Sequence, residues 1–403
     1  MVNSLAAVPS ATSTVAGYGR SLALKAFAAG AEAAEKACAR LPAPPVWCLV
    51  FGTTGYDQQE LLAGVRSVTG TARLAGCSGE GVISGACSEE RDRAVTVLAV
   101  WSEDLTFDVH WRADFSAQPE ACGAGLAAAL SAPGTEQLLG ILVLTEGLQG
   151  DCGAFLTALQ QGLPAGVPVA GGCAGDDMTF TATYQYADDQ VLQGGVCAIA
   201  LRGRGEMRVS VSHGCVPVGL ERTVTAASGG WLHGIDGQPA WSVFKEYLDG
   251  DPEDLNAEGI VHLCFGKPLD PEFARDYDPF IIHTPIKLDP ENGALFFPGG
   301  GFSPGDRVRM TRRDPERIRQ SAEKCAEQLA DPRRPAFVIQ FDCAGRGRIL
   351  FGSCAAQEII EPLQRVLGAD VPWVGLHTYG EIAEVGSKLY YHNYTVALCA
   401  VYT

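Results

Sequence analysis

Three times along the chain an apolar run gives way to a helix-like segment, then to a second apolar run that ends on a glycine turn beside an acid. In the first copy, residues 46–52 (VWCLVFG) and 72–77 (ARLAGC) flank a helix at 57–69, and the turn is Gly76-Cys77-Ser78-Gly79-Glu80-Gly81. In the second, 138–144 and 167–171 flank a helix at 151–162, and the turn is Gly172-Cys173-Ala174-Gly175-Asp176-Asp177. In the third, 335–341 and 371–376 flank a helix at 354–367, and the turn is His377-Thr378-Tyr379-Gly380-Glu381. Short apolar runs bounded by turns read as buried strands. A third strand follows in each copy, at 94–101, 195–201 and 394–402, and alternating β-type segments continue the first two at 105–111 and 207–213. Three units of this length are too few and too long for a solenoid. They predict an α/β protein: two lobes of mixed sheets with flanking helices, built from duplicated strand-helix-strand units. The chain after each glycine turn is too short for a crossover helix, so the strands there are expected to be antiparallel.

The remaining segments give the boundaries. Residues 1 to about 18 read as a loose tail, and 19–40, rich in alanine, as a helix stopped by the LPAPP at 41–45. Residues 231–330 do not follow the repeat. They hold a helix at 240–248, strand candidates at 260–265, 279–284 and 294–297, the loop FFPGGGFSPGD at 297–306, and a charged stretch, 307–330, helical from about 314. The division expected is 1–43, a tail and helix; 44–230; and 231–403, with the boundary at Ser228-Gly229-Gly230.

Charge narrows the function. Lys and Arg number 30 against 47 Asp and Glu, a net charge of −17, which argues against nucleic acid and anionic membranes as partners. The basic run RVRMTRRDPERIR at 307–319 is interleaved with acids and reads as a solvated helix face. No apolar run approaches the roughly 18 residues of a membrane helix, and no signal peptide is apparent. The 14 cysteines include no C-x-x-C pair. Several lie in apolar strands, as buried free thiols of a reducing compartment would, so a cytoplasmic location is expected.

The glycine turns are the candidate chemistry. In α/β sheets, ligands collect at the carboxyl ends of strands, where glycine leaves backbone N–H groups open and an adjacent acid can accept an ammonium or a hydroxyl. The alternative is a β-turn whose acid caps its own amides. Arg346, in FDCAGRGRILFG, lies just past a strand, where a guanidinium can hold a carboxylate in a fork or pair with a surface acid. His213 with Cys215, and His262 with Cys264, share a strand face and could ligate metal or haem, or be half-buried strand residues. Cys343 could be a reactive thiol or a structural one. GGGFSPGD at 299–306 lacks the Lys-Ser/Thr of a phosphate loop and reads as a flexible hairpin.

Together, VPVAGGCAGDD (167–177), FDCAGRGRILFG (341–352) and VPWVGLHTYGEIA (371–383) resemble the FIST family, two-part sensory and signal-transduction domains. The turn at 72–81 is similar to the N-terminal FIST half, and the C-x-x-R segment with the Tyr-Gly-Glu turn to the C-terminal half; the resemblance spans about 44–403. It implies an intracellular small-ligand sensor, not an enzyme, binding amino-acid-like molecules without a cofactor. Because no kinase, cyclase or methyl-accepting segment follows Thr403, output is expected to pass to a separate signalling protein; a homodimer is compatible. The family resemblance also implies an alternative, a haem-binding nitric oxide sensor; a weaker one, read from Cys343 itself, is a Cys-dependent hydrolase or transferase. The ligand-binding set drawn from the motif turns is Ser78, Glu80, Asp176, Asp177, Cys343, Arg346, His377, Tyr379 and Glu381. Arg346 would take a carboxylate, and Glu381 or Asp176 an ammonium.

Overall fold

The computed structural model describes residues 13–403 apart from 91–92, 133, 135, 256–261 and 276. The first unit runs β1 (Thr14–Ser21), α1 (Ala26–Cys38), β2 (Trp47–Gly52), α2 (Gln58–Thr69), β3 (Arg73–Ser78), β4 (Gly81–Ser84), β5 (Cys87–Glu89) and β6 (Val95–Ser102). The second repeats that order with β7 (Leu105–Arg112), α3 (Pro119–Leu130), β8 (Leu138–Thr145), α4 (Cys152–Gly162), β9 (Val169–Cys173), β10 (Tyr184–Ala187), β11 (Gln190–Gln193) and β12 (Val196–Gly203). The third begins with β13 (Glu206–Ser212) and is then interrupted by β14 (Cys215–Ser228), β15 (Trp231–Ile235), β16 (Gln238–Pro239), α5 (Ala240–Lys245), β17 (Leu263–Pro268), β18 (Phe280–His283), β19 (Lys287–Asp289), β20 (Ala294–Phe296) and β21 (Arg307–Arg313). It resumes with α6 (Pro315–Leu329), β22 (Phe337–Cys343), short helices α7 (Arg348–Phe351), α8 (Ala355–Ile359) and α9 (Glu361–Leu367), then β23 (Trp373–Thr378), β24 (Gly380–Val385), β25 (Lys388–His392) and β26 (Val396–Tyr402).

The protein is a mixed α/β fold, as its sequence predicts. The three units form three six-stranded sheets, in the orders β1-β6-β2-β3-β10-β11, β7-β12-β8-β9-β24-β25 and β13-β26-β22-β23-β4-β5. In each, the two strands joined by the central helical segment are parallel (β2 with β3, β8 with β9, β22 with β23) and their other neighbours antiparallel. The hairpin after each glycine turn leaves its own unit. β4–β5 completes the third sheet, β10–β11 the first and β24–β25 the second, so the units exchange hairpins in a closed cycle. The alternating segments at 105–111 and 207–213, read as returns of the preceding unit, are the edge strands β7 and β13 of the next. The insert, 215–313, forms a fourth sheet in which every described pairing is antiparallel.

Strand alternation sorts the apolar side chains. Trp47, Leu49 and Phe51 of β2 join Leu142 and Leu144 of β8 and Phe337, Ile339 and Phe341 of β22 in one core shared by the three sheets. The ring of Trp47 stacks on Phe107 at 4.5 Å, and Phe51 meets Phe341 edge-on at 6.2 Å. Both contacts cross unit boundaries, and aromatic pairs contribute about 0.5–1.5 kcal/mol beyond their buried area. The outward residues, such as Cys48 and Val50, pack under each unit's own helices. Asp57, Asp151 and Asp314 cap α2, α4 and α6, each accepting the N–H three residues on. Gly76, Gly171 and Gly375 recur in β3, β9 and β23, opposite Val50, Val143 and Gln340. A Cβ at any of them would lie 1.9–2.1 Å from the facing carbonyl oxygen, so the strands can approach this closely with glycine alone.

Four readings need correction. Residues 14–18, read as tail, belong to β1, which pairs along its whole length with β6. Gly17 and Gly19 press on the backbone of α1, where no side chain fits, and the strand signal is lost with the side chains. The helix read at 19–40 accordingly begins only at Ala26. Residues 307–313 are not part of a solvated helix but strand β21, the helix starting behind Asp314-Pro315. The single helix read at 354–367 is α8 and α9, broken before Pro362, which sits in the first turn of α9.

The exchange makes a prediction. Residues 1–238 expressed alone lack β24–β25 and leave the β9 edge bare, so the fragment should bind the dye ANS and melt without a cooperative transition. A sharply melting, dye-silent fragment would contradict the interdependence of the sheets.

Candidate functional site

The exchange brings the three glycine turns into contact. The N–H of Gly175 donates to Ser78 O at 3.1 Å, that of Glu80 to His377 O at 2.9 Å and that of Tyr379 to Cys173 O at 3.1 Å. Each turn thus donates to another, and the three bonds close a ring. Ser78, fully buried, reinforces it. Its hydroxyl donates to Gly175 O at 2.8 Å and accepts from the N–H of Tyr184 at 3.0 Å.

Three carboxylates gather over this ring. Tyr379 donates its hydroxyl to Asp176 Oδ1 at 2.7 Å, with Glu80 Oε2 3.3 Å away. Glu80 Oε2 accepts the Met178 N–H at 2.6 Å, and Asp177 Oδ2 accepts the Thr54 hydroxyl at 2.9 Å. Among the described residues none of the three forms an ion pair. Burial, with the Asp177 charge behind it, pushes the Glu80 carboxyl up to about 8. Burial also raises Asp177, and burial with the neighbouring Glu80 and Asp176 pushes the Tyr379 hydroxyl well up. Near neutral pH Glu80 is therefore largely protonated.

Residues 174–183 fold over the three acids. The Asp176 carboxylate gathers the N–H groups of Phe180, Thr181 and Ala182 at 2.6–3.0 Å and the Thr179 hydroxyl at 2.8 Å. Asp177, Met178 and Phe180 have φ of 57°, 54° and 51°, the left-handed region that side chains disfavour, at a cost on the order of 1–3 kcal/mol each. Phe180 stacks on Tyr379 with centroids 5.3 Å apart, yet Phe180 is 50% and Met178 40% exposed. Sequence reading missed Met178, Phe180 and Thr54. Its one available signal was length, because the second unit carries more residues between its parallel strand and its return strand than the other two.

The other candidates lie deeper in the third unit. Arg346 is fully buried, its Nε 3.3 Å from Asp342 Oδ1 and its Nη1 donating to Ser212 O at 3.2 Å. The ion pair is poorly aligned for a hydrogen bond, and Nη2 has no partner. His377 Nε2 lies 2.8 Å from the Ser88 hydroxyl and 3.3 Å from Glu90. Glu381 accepts hydroxyls from Thr378 and Thr395, and burial pushes it up to about 8 against those bonds. Cys343 packs apart from these, beside Cys215, Cys264, Phe280, Ile282 and Tyr394, and burial pushes its thiol far up. The nine candidates thus separate. Ser78, Glu80, Asp176, Asp177 and Tyr379 meet at the turns; Arg346, His377 and Glu381 form a buried polar layer; Cys343 belongs to the core.

The two raised acids carry a pH prediction. A carboxyl held near 8 in the folded protein and at its ordinary value in the unfolded chain is bound more tightly by its proton when folded. Its contribution is complete below about 4.5 and is lost as pH rises through about 8. The melting temperature should therefore fall between pH 6 and pH 9. Glu381→Gln should flatten that fall, whatever it does to absolute stability; an unaltered slope would refute the assignment.

Residues 46–238 match the FIST N domain and residues 240–384 the FIST C domain. Two uncharacterized proteins of Mycobacterium tuberculosis, from strains CDC 1551 and ATCC 25618, are each 28% identical over 395 residues, covering 95% of this chain and 98% of theirs. An uncharacterized protein of Mycobacterium bovis is 28% identical over 237 residues, 58% of this chain and 60% of its own. With both domains matched in order along the chain, the protein belongs to the FIST family of sensory domains.

Proposed function

We propose that the protein is a sensor whose three-turn junction binds the ammonium group of a small polar molecule, an amino acid or its amine. The observation that carries this reading is the meeting of Glu80, Asp176 and Asp177 without a cation among the described residues, under a strained loop that carries two exposed apolar side chains. An ammonium would take the place of the proton that keeps Glu80 neutral, and the rings of Tyr379 and Phe180 offer it a π face. The loop would reorder as the ligand enters, and that change would reach a separate signalling protein. Arg346 belongs to the framework in this reading. It faces Asp342 out of solvent, and losing it would strand a buried charge.

No catalytic group is assigned. The Cys343 thiol lies far from its reactive range, which supports a binding role over hydrolase or transferase chemistry. Against haem stand the engagements of the candidate histidines: His213 with Phe280 O and the Cys215 N–H, His262 with Arg313, His377 with Ser88. Among the described residues, no group of three or more His, Cys, Asp or Glu is placed to hold a metal ion.

Native mass spectrometry of the purified chain should reveal a co-purified ligand as added mass, and calorimetry against amino acids and their decarboxylated amines should rank the class. Glu80→Gln should weaken binding at least about tenfold, or about 1.4 kcal/mol. Affinity should rise from pH 6.5 to 8.5 in the wild type, because Glu80 then ionises, and stay flat in Glu80→Gln. Equal affinity in the wild type, Glu80→Gln and Asp177→Asn would remove the junction as the site.

A further inference from the structure

Where the insert lies over the second unit, a cleft of about 350 Å³ opens between the first turns of α4, the exchanged hairpin β24–β25 and the strands β17 and β18. That volume is within the range of small-molecule sites. Leu156, Leu269, Ile281 and Leu389 give it apolar walls. One polar group there lacks a partner. His283 is 4% exposed, and its ring Nδ1 is buried without a hydrogen bond. Such a group is costly to leave unmet; His283 is one of the residues lining the cleft, and with Nδ1 itself closed to solvent it is Nε2 that an entering ligand would meet. Its position is set by the triple-glycine loop. Gly301, at φ +87°, leaves room where a Cβ would sit 3.0 Å from the His283 Cε1, and Phe302 packs on the ring at 4.9 Å. Burial, aided by Lys267, pushes the imidazole down to about 3, so the ring is neutral and carries a single hydrogen.

The charges around it are distributed unevenly. Lys267 Nζ donates to Gly301 O at 2.8 Å and to Asp306 Oδ2 at 2.7 Å, which commits two of its three hydrogens. Lys388 lies over the Tyr390 ring at 4.9 Å and, among the described residues, forms no ion pair. Asp151 also lines the cleft, but its carboxylate is engaged in capping α4 through the Ala154 N–H. Two ammonium groups and a neutral imidazole thus line a cavity with apolar walls, with Asp151 and Asp306 beside them. Asp151 and Asp306 offset part of that positive charge, so a single negative charge is favoured over the two of a dianion such as phosphate.

We infer that this cleft is a second binding site, distinct from the three-turn junction, for a small monocarboxylic acid with an apolar body, whose carboxylate is held by Lys267 and His283. Lys388 supplies the longer-range attraction at the mouth. The ligand would touch the insert and the second unit at once.

The probes are hexanoate and benzoate, with hexanol and benzyl alcohol as uncharged counterparts, followed by saturation-transfer NMR and calorimetry on the full chain. Both acids should bind at least about tenfold more tightly than the alcohols, and Lys267→Met should lower their affinity by a similar factor. Thr157→Trp, which fills the cleft from an exposed position and should fold normally by circular dichroism, should abolish binding even if Lys267→Met proves unstable. Glu80→Gln should leave it unchanged, which separates this site from the junction. No binding at millimolar acid, equal binding of the alcohols, or full affinity in Thr157→Trp would overturn the inference.

Discussion

Backbone hydrogen bonds across the exchanged hairpins tie the three units into one ring. A strand pair ending in a glycine turn exposes the edge of its second strand, and an unmet strand edge is unstable and prone to wrong partners. Here each such edge is covered by a hairpin from another unit, so no unit satisfies its own backbone. Side chains support the joins. Arg66 pairs with Asp189, and Arg73 with Asp188, at the tip of β10–β11 on the first sheet. Exposed pairs of this kind contribute less than about 1 kcal/mol each, so the ladder and the shared aromatic core carry most of the weight.

The geometry of the site follows from that ring. Parallel strands ending together deliver their turns to one place, and the cyclic exchange packs the turns against each other instead of leaving them at three separate edges. The acids then meet because each turn carries its own. Burial without a counter-cation raises Glu80 and Asp177, and the loop over them holds unfavourable backbone angles through the Asp176 cap. The deeper layer differs in kind. There Asp342 has Arg346 opposite it, and Arg346 in turn holds the end of β13 through Ser212 O.

The repeated units were legible because strand length, apolar content and glycine placement are local properties. The sheet partners were not. Nothing in the sequence of β4–β5 distinguishes the edge of its own sheet from that of the third, since pairing is decided by contacts hundreds of residues away. β1 was hidden by Gly17 and Gly19, whose packing against α1 removes the side chains that mark a strand. At the site, Glu80, Asp176 and Tyr379 could be chosen from their turns, but their contact depends on the exchange. Arg346 shows the opposite failure. Its position past a strand was read correctly, whereas its partner, Asp342, four residues earlier in the same motif, went unweighed. GGGFSPGD looked like a flexible hairpin because glycine reports freedom in the unfolded chain and says nothing of what the folded loop rests against.

The hairpin exchange also has a consequence for synthesis. A growing chain leaves the ribosome from its N-terminus, and by about residue 212 the first two units are present. The first sheet can then close, because β10–β11 has been made. The second cannot until β24–β25 emerges, and β4–β5 has no sheet to join until β23 exists. For the time it takes to translate the insert and most of the third unit, the nascent protein presents an open strand edge and an orphaned hairpin. The insert lengthens that interval by its own 215–313. A chain built this way depends on elongation rate and on holding chaperones more than one whose halves close independently.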